Sequence, residues 1–195
     1  MKLIQKYIND DIIRGGYCYL NNDVKGKVIK DVKFLSFNRL YSRIILLFYT
    51  EGLINIPKDD AKKIEYYLEL TKLDDNARIF INGYFGRCNF NIRNKISSYC
   101  YLMIEDIIKR NNNIIYADTD SIFYIGDNIC LYGIDIPFEI AKIDYILFER
   151  IKYYLFCDKK MNEFKVKGPK RDNKINEYMS NIKREIRNDK LKLIL

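Results

Sequence analysis

The sequence predicts an α+β fold: an antiparallel sheet, helices packed on one of its faces, and a basic helix near the C-terminal end. Three observations predict it. Short runs of apolar and β-branched residues are typical of strands, two segments place apolar residues at helical spacing, and the last fifth is rich in Lys and Arg. The chain has 195 residues and is 48% hydrophobic, which is enough for a core of its own.

The predicted strands are short, and each is apolar or β-branched over most of its length. They are Val28–Phe37, two strands within 114–125 around an acidic turn, and a pair at 151–156 and 164–166. A continuous apolar run at 44–49 is predicted to be a buried strand or helix segment, too short for a membrane span.

The predicted helices occupy 58–72, 92–108 and 173–191. The first follows Pro57, a residue favoured at helix starts, and places Ala61, Ile64 and Leu68 on one side. The last is rich in cations, so we expect a basic helical tail over 172–195.

Composition excludes several classes of function. The chain has no histidine, which rules out catalytic triads and metal sites that depend on imidazole. Its five cysteines are scattered and form no C-x-x-C pair, which argues against a zinc site and indicates a reducing compartment. No membrane span or targeting segment is expected.

The net charge of +8 is placed unevenly. From position 158 to 195 there are 12 Lys and Arg against 6 Asp and Glu, so +6 of the charge lies in this segment. Such a distribution favours contact with a polyanion, although a solvated charged helix would show it too. The abundant Ile, Asn, Lys and Tyr suit A+T-rich coding DNA, as in organelles, linear plasmids and some viruses.

The most specific pattern is an acidic hairpin turn, Asp118-Thr119-Asp120, between two apolar strands. Two carboxylates held this close repel each other unless one is protonated or a cation lies between them. The string Y-x-D-T-D-S, which starts at Tyr116, resembles motif C of family B DNA polymerases. This resemblance implies that Asp118 and Asp120 are the ancestral catalytic residues and Mg²⁺ ligands of a palm-like sheet.

The segment that begins at Ser36 resembles motif A of the same family, D-x-x-S-L-Y-P-S. Leu40 and Tyr41 match, and the resemblance makes Tyr41 the residue that excludes a ribose 2′-hydroxyl. Ser36 stands where the metal-bridging Asp belongs, Arg39 replaces Ser, and Ser42 replaces Pro.

The segment 78–87 resembles motif B, K-x-x-x-N-S-x-Y-G. Asn82 and Gly86 match, whereas Arg78 and Phe85 are close replacements for Lys and Tyr. The resemblance implies nucleotide binding by Tyr41, Arg78, Asn82 and Phe85.

Further matches point to the protein-primed branch of the organellar linear-plasmid type. Residues 13–17 resemble a Y-x-G-G element, 152–154 a K-x-Y motif, and 164–170 a K-x-K-G segment, so the resemblance covers 13–171. It implies a palm-like domain over 1–171 with shortened fingers at about 58–92. The nucleic-acid-binding residues that it implies are Arg14, Gly15, Gly16, Lys152, Tyr154, Lys165, Lys167, Lys170 and Arg171.

Loss of the motif A carboxylate predicts loss of polymerase activity, because a neutral hydroxyl is a poor ligand for a hard cation. Asp31 is not expected to replace it: five residues of strand span about 16 Å, and the odd offset points to the opposite face. Only about forty residues separate the motif A-like and motif B-like segments, which is why the fingers are expected to be short. We also expect little room for an exonuclease domain or a full thumb, and Mg²⁺ binding that is weak or absent.

Three hypotheses remain open. The first is a degenerate palm that binds RNA or DNA through its basic C-terminal region, together with other protein subunits. A ribonucleoprotein such as a mitochondrial ribosome is the expected assembly, and an organelle-encoded mitochondrial protein the expected location, with cytoplasmic, plasmid or viral settings otherwise. The second is an active minimal or split protein-primed polymerase. The third is a metal-binding scaffold without a nucleic-acid role.

Overall fold

The computed structural model describes residues 16–70, 74–157, 164–168 and 174–192. They form two compact units that interleave along the chain. The helical unit is built mainly from Phe37–Ile107 and Leu131–Phe138, and the sheet unit from Cys18–Ser36, Ile108–Cys130 and the residues that follow 138.

The strands form one seven-stranded antiparallel sheet in the order β1-β3-β4-β2-β5-β6-β7. They are β1 (Cys18–Leu20), β2 (Val28–Phe37), β3 (Ile114–Asp118), β4 (Ser121–Ile125), β5 (Phe138–Arg150), β6 (Tyr153–Cys157) and β7 (Lys165–Lys167). The predicted strands are all present, and β6 pairs with β7 as expected. Strands β1 and β5 were not predicted.

The helices are α1 (Leu40–Thr50), α2 (Lys58–Glu69), α3 (Asp75–Arg87), α4 (Phe90–Arg110) and α5 (Ile175–Lys192), with a 3₁₀ turn at Asn22–Val24. The three predicted helices are confirmed to within about three residues at each described end. The apolar run at 44–49 proves to be part of α1, and the motif B-like segment lies on α3. No helix in the described ranges has the length and apolarity needed to span a bilayer.

Aromatic rings fill one face of the sheet. Tyr116, Phe123, Phe148 and Tyr154 come from four different strands, and their centroids lie 4.9–5.5 Å apart. Each full burial of such a ring contributes roughly 1.5–3 kcal/mol. This aromatic cluster therefore fixes the strands that carry the acidic turn.

Helix α5 covers the other face of the sheet. Tyr178 and Ile182 are buried against Tyr145 and Leu147 of β5, because apolar residues of α5 recur at helical spacing. Two acidic residues of α5 face the sheet as well: Lys30 Nζ lies 3.0 Å from Glu185 and 2.8 Å from Asp189. The basic residues of this helix are left on its outer side.

Candidate functional site

The acidic turn joins β3 to β4, as predicted. Thr119 adopts a left-handed backbone with φ of 58°, and the Asp120 amide donates to the Asp118 carbonyl at 2.7 Å. The Ser121 hydroxyl donates to the same carbonyl at 3.1 Å. The turn is thus held by its own backbone, with both carboxylates two residues apart.

The Asp118 carboxylate accepts hydrogen bonds from two neighbours. The Cys18 thiol donates to Oδ1 at 3.4 Å, and the Thr119 hydroxyl donates to the same oxygen at 3.1 Å. Burial, followed by the negative charge of Asp118, raises the pKa of the Cys18 thiol. Cys18 is therefore a hydrogen-bond donor here and not an activated thiolate.

Asp120 lies at the exposed tip of the turn. Desolvation by the surrounding protein atoms is the main cause that raises its pKa above 3.8, and the charge of Asp118 raises it further. The positive charge of Lys167 acts in the opposite direction. The turn thus keeps the self-repulsion expected of two close carboxylates.

Ser36 lies in the same cross-strand row as the turn. The row runs from Cys18 to Asp118 to Ser121 to Ser36, across β1, β3, β4 and β2. Ser36 is the position where the family pattern has the metal-bridging Asp, in addition to the two aspartates of the turn. It is therefore in register with Asp118 across the sheet, but it carries a hydroxyl in place of a carboxylate. Over the described part of the chain, no group of three or more Asp, Glu, Cys or His is placed to hold a metal ion.

Asp31 does not take the place of that carboxylate. It pairs with Lys142, whose Nζ lies 2.9 Å from Asp31 Oδ1, and it lies five residues along β2 from Ser36. Its φ of 53° departs from strand geometry. The Asp31 carboxylate is thus already paired with Lys142 at its own position.

Lys152 approaches the acidic turn from the β5–β6 connection. The sequence placed it on a strand, but it lies in the tight turn after Arg150, with φ of 61°. That prediction was wrong because a non-glycine residue in the left-handed region gives no local sequence signal. The Lys152 ammonium lies 3.8 Å from Asp118 Oδ1.

Tyr154 is a core residue. Its ring belongs to the aromatic cluster and is only 7% exposed. Burial raises its pKa to about 12, and the charges of Asp118 and Asp120 add to the effect.

The other predicted nucleic-acid contacts divide into two groups. Lys165 and Lys167 are exposed on β7, and Gly16 is exposed before β1. Arg14, Gly15, Lys170 and Arg171 lie outside the described residues.

The helical unit presents the motif B-like residues on one side of α3. Arg78, Asn82 and Phe85 follow each other at positions i, i+4 and i+7, so they share a helix face. Arg78 and Asn82 are exposed, and the Phe85 ring contacts the Tyr41 ring of α1 with centroids 4.5 Å apart. All four predicted nucleotide-binding residues therefore lie in this unit.

Two substitutions in the motif A-like segment position Tyr41. The Ser42 hydroxyl, which is buried, donates to the Ile81 carbonyl of α3 at 2.9 Å. Arg39 occupies the N-cap position of α1 in a left-handed conformation without a side-chain capping bond, and its guanidinium donates to the carbonyls of Tyr67 and Leu70 at the end of α2. These bonds join α1 to α2 and α3.

Gly83 and Gly86 are exposed positions within α3, where glycine costs roughly 0.5–1 kcal/mol relative to alanine. A Cβ atom at either position would meet no other atom within 4 Å. Packing within the described chain does not require these glycines, and Gly83 points to a different side of the helix from Arg78 and Phe85.

Sequence reasoning missed Cys18 as a neighbour of the acidic turn, and it missed the Tyr116 hydroxyl and Gly168 as neighbours of Lys152. Cys18 is a hundred residues from Asp118, and only strand pairing brings them together. A buried Tyr normally finds a partner for its hydroxyl, which was the available signal for Tyr116.

Known structures share this architecture. Phi29 DNA polymerase in an orthorhombic crystal form matches with a TM-score of 0.62 at 14% identity, over 90% of this chain and 56% of that chain. The phi29 enzyme complexed with primer-template DNA and incoming nucleotide matches with a TM-score of 0.59 at 12% identity, over the same shares. The family B DNA polymerase of the archaeon Pyrobaculum calidifontis matches with a TM-score of 0.56 at 13% identity, over 95% of this chain and 36% of that chain.

The chain thus spans about half of the phi29 enzyme and about a third of the archaeal one. No protein-family description and no curated protein matches the sequence. At these identities the likeness concerns the fold, which agrees with the resemblance suggested by the motifs. The chain has a family B DNA polymerase-like fold, built on a palm-type antiparallel sheet.

Proposed function

We propose that this chain is a degenerate palm of the protein-primed type that binds nucleic acid without polymerising it. The hydroxyl of Ser36 carries the proposal, because it stands in the cross-strand row of Asp118 where a two-metal mechanism needs a carboxylate. In such a mechanism Mg²⁺ would activate the primer hydroxyl and neutralise the triphosphate. We propose that Asp118 and Asp120 alone hold it weakly or not at all.

Nucleic-acid binding is supported by the cations of the sheet unit. On α5, the acidic residues Glu185 and Asp189 are engaged with Lys30, whereas the exposed residues of the outer side are largely basic. The exposed cations of α5, which we call the basic surface, are Lys183, Arg184, Arg187 and Lys192. Lys165 and Lys167 of β7 are also exposed but lie on the other face of the sheet, in register with Phe156 and Tyr154. Contacts from such a surface to phosphates would be independent of sequence and sensitive to salt.

The basic surface does not distinguish RNA from DNA, because phosphate groups are common to both. We therefore propose that the chain is a subunit of a larger nucleic-acid assembly, of which an organellar ribosome is one example. The abundance of Ile, Asn, Lys and Tyr, which suits A+T-rich coding DNA, supports a mitochondrial setting.

Primer extension in the presence of Mg²⁺ tests the loss of turnover. The unchanged protein should extend a primed template no better than Asp118→Ala, since both lack a complete ligand set. Ser36→Asp, which returns a carboxylate to the row, is the informative third variant. Extension by the unchanged protein that Asp118→Ala abolishes would refute the proposal.

Fluorescence anisotropy with labelled single-stranded RNA and DNA tests the binding. Removing three cations of α5 (Lys183, Arg184 and Arg187, each to Gln) should weaken binding of both. It should also reduce the salt slope by about 0.7 for each phosphate that the variant no longer neutralises. A matched control removes three exposed cations of the helical unit, Lys58, Lys62 and Arg93. Equal effects of the two triple variants would contradict a role for the basic surface.

A second candidate is an active minimal or split polymerase, with the third carboxylate supplied by another chain. The Tyr41–Phe85 contact and the exposed side chains of Arg78 and Asn82 favour it, because these are the residues that the resemblance assigns to the nucleotide. Nucleotide-dependent protection of α3 from hydrogen exchange, abolished in Arg78→Gln, would support this candidate.

A further inference from the structure

The position of Lys152 is fixed by its surroundings and not by its own strand. Its φ of 61° is a left-handed conformation that costs a non-glycine residue about 1 kcal/mol or more. Such a conformation persists only where neighbouring groups hold it. Two neighbours do so here, one at the backbone amide and one at the carbonyl.

The first neighbour is Tyr116, which lies two residues before Asp118 on β3. The Lys152 amide donates to the Tyr116 hydroxyl at 2.9 Å. The Tyr116 ring is fully buried in the aromatic cluster, and burial raises the pKa of its hydroxyl. The bond therefore ties the β5–β6 turn to the strand that carries the acidic turn.

The second neighbour is Gly168, directly after β7. Its φ is +114°, and a Cβ at this position would lie 2.9 Å from the Lys152 carbonyl oxygen and 2.7 Å from Tyr153 Cδ2. Only glycine permits this close approach without a shift. The backbone after β7 thus packs directly on the Lys152 turn.

The Asp118 carboxylate, which lies beside the Lys152 turn, is largely shielded from solvent. The Asp118 side chain is 14% exposed, whereas that of Lys152 is 63% exposed. A buried carboxylate needs hydrogen bonds and a countercharge, and its two neutral donors, Cys18 and Thr119, supply only the hydrogen bonds. The Lys152 ammonium, 3.8 Å away, supplies a positive charge.

We infer that Lys152, held by Tyr116 and Gly168, is a built-in counter-ion for Asp118 and supplies the positive charge for which the resembling polymerases use a divalent cation. The inference rests on the proposed loss of the magnesium site. It explains why the magnesium site would be lost: the Lys152 ammonium beside Asp118 weakens the electrostatic attraction between the acidic turn and a divalent cation. Lys167, whose charge acts on Asp120, adds to the effect.

A double-mutant cycle between Lys152 and Asp118 tests the pairing. Lys152→Met keeps the length of the side chain and the backbone strain but removes the charge, and it should lower the melting temperature by about 2–4 °C. The loss should largely disappear in an Asp118→Asn background, where no charge remains to be balanced. Lys27→Met, at an exposed position in the sheet unit, is the matched control and should have no effect. Equal losses from Lys152→Met in both backgrounds would overturn the inference.

Manganese binding, followed through the electron paramagnetic resonance signal of free Mn²⁺, separates this inference from the proposed function. The unchanged protein should bind no Mn²⁺ at the turn, and Lys152→Met should bind it at least about tenfold more tightly, in a manner that Asp118→Asn abolishes. If the unchanged protein shows tight, Asp118-dependent binding, the proposed loss of the site fails and the inference fails with it. If the unchanged protein binds no Mn²⁺ and the cycle shows no coupling, only the inference fails.

Discussion

The acidic turn of the sheet unit and the α3 face of the helical unit both carry predicted site residues, and they differ in how those residues are engaged. At the turn, Asp118 accepts from two side chains and faces Lys152. On α3, Arg78 has an exposed side chain with one distant ion pair, 3.7 Å from Asp75, and the glycines of this helix are open. Charges at the turn thus serve the fold, whereas those of α3 remain available to a partner.

The largest expected difference between the two regions is in the unfolding free energy lost when an aromatic residue is substituted. Phe123→Ala removes a ring from the centre of the aromatic cluster and should cost about 3–5 kcal/mol of unfolding free energy. Phe85→Ala, at a half-buried ring that contacts Tyr41, should cost clearly less. Urea unfolding of both variants measures the difference, and similar losses would show that the α3 face is as closely packed as the sheet.

Glycine substitutions should have opposite signs in the two regions. Gly168→Ala introduces a Cβ that collides with the Lys152 turn at an unfavourable φ, and we expect a loss of about 1–3 kcal/mol. Gly83→Ala, at an open helical position, should raise stability by about 0.5–1 kcal/mol. A destabilised Gly83→Ala variant would contradict the open surroundings of this position.

Arg39 should matter for the helical unit alone. Arg39→Ala removes donors to two carbonyls at the end of α2, where a cation is also favoured by the helix dipole, and should cost about 1–2 kcal/mol. Hydrogen exchange should show the loss of protection in the last turn of α2. Arg39→Lys keeps the charge and serves as the control, with an intermediate effect expected. Unchanged protection of α2 in Arg39→Ala would show that these bonds do not hold the helix.

The smallest effects concern pH, and two carboxylates of the sheet unit should act in opposite directions. Lys30 and the Tyr145 hydroxyl lower the pKa of Asp189 below 3.8, so its contribution is present above that pH and is lost as pH falls through the lowered value. Asp189→Asn should therefore destabilise the protein at neutral pH and have little effect in strong acid.

Asp120 behaves in the reverse sense, because desolvation and the charge of Asp118 raise its pKa. The ionised form costs stability above the raised value, and the cost disappears as pH falls towards 3.8. Asp120→Asn should therefore stabilise the protein at neutral pH, with a gain that shrinks in acid. Urea midpoints measured across this range for both variants test the signs, and parallel profiles would contradict them.

The comparison also shows which features were visible in the sequence. The acidic turn was predicted because it is local: apolar strands on both sides and a D-x-D string suffice to define it. Strand β5 was not predicted, since its first five residues are exposed and the next six, from Ile143 to Phe148, are almost continuously buried, so that neither half shows the alternation of a half-buried strand. Two of the three partners of Asp118, Lys152 and Cys18, lie 34 and 100 residues away along the chain, and no local pattern identifies them. Tyr154 was predicted as a nucleic-acid contact from a motif resemblance, which carries no information about its burial in the core.

The strands at the two described ends of the sheet are each only three residues long. Unpaired strand edges invite addition of a strand from another chain, and short edges that carry lysine resist it. Lys165 and Lys167 occupy both ends of β7, so this edge repels a second copy of itself. The protein should accordingly not form edge-to-edge aggregates through β7 at high concentration. A binding partner would have to contact side chains on the faces of the sheet, and not the backbone of this edge strand.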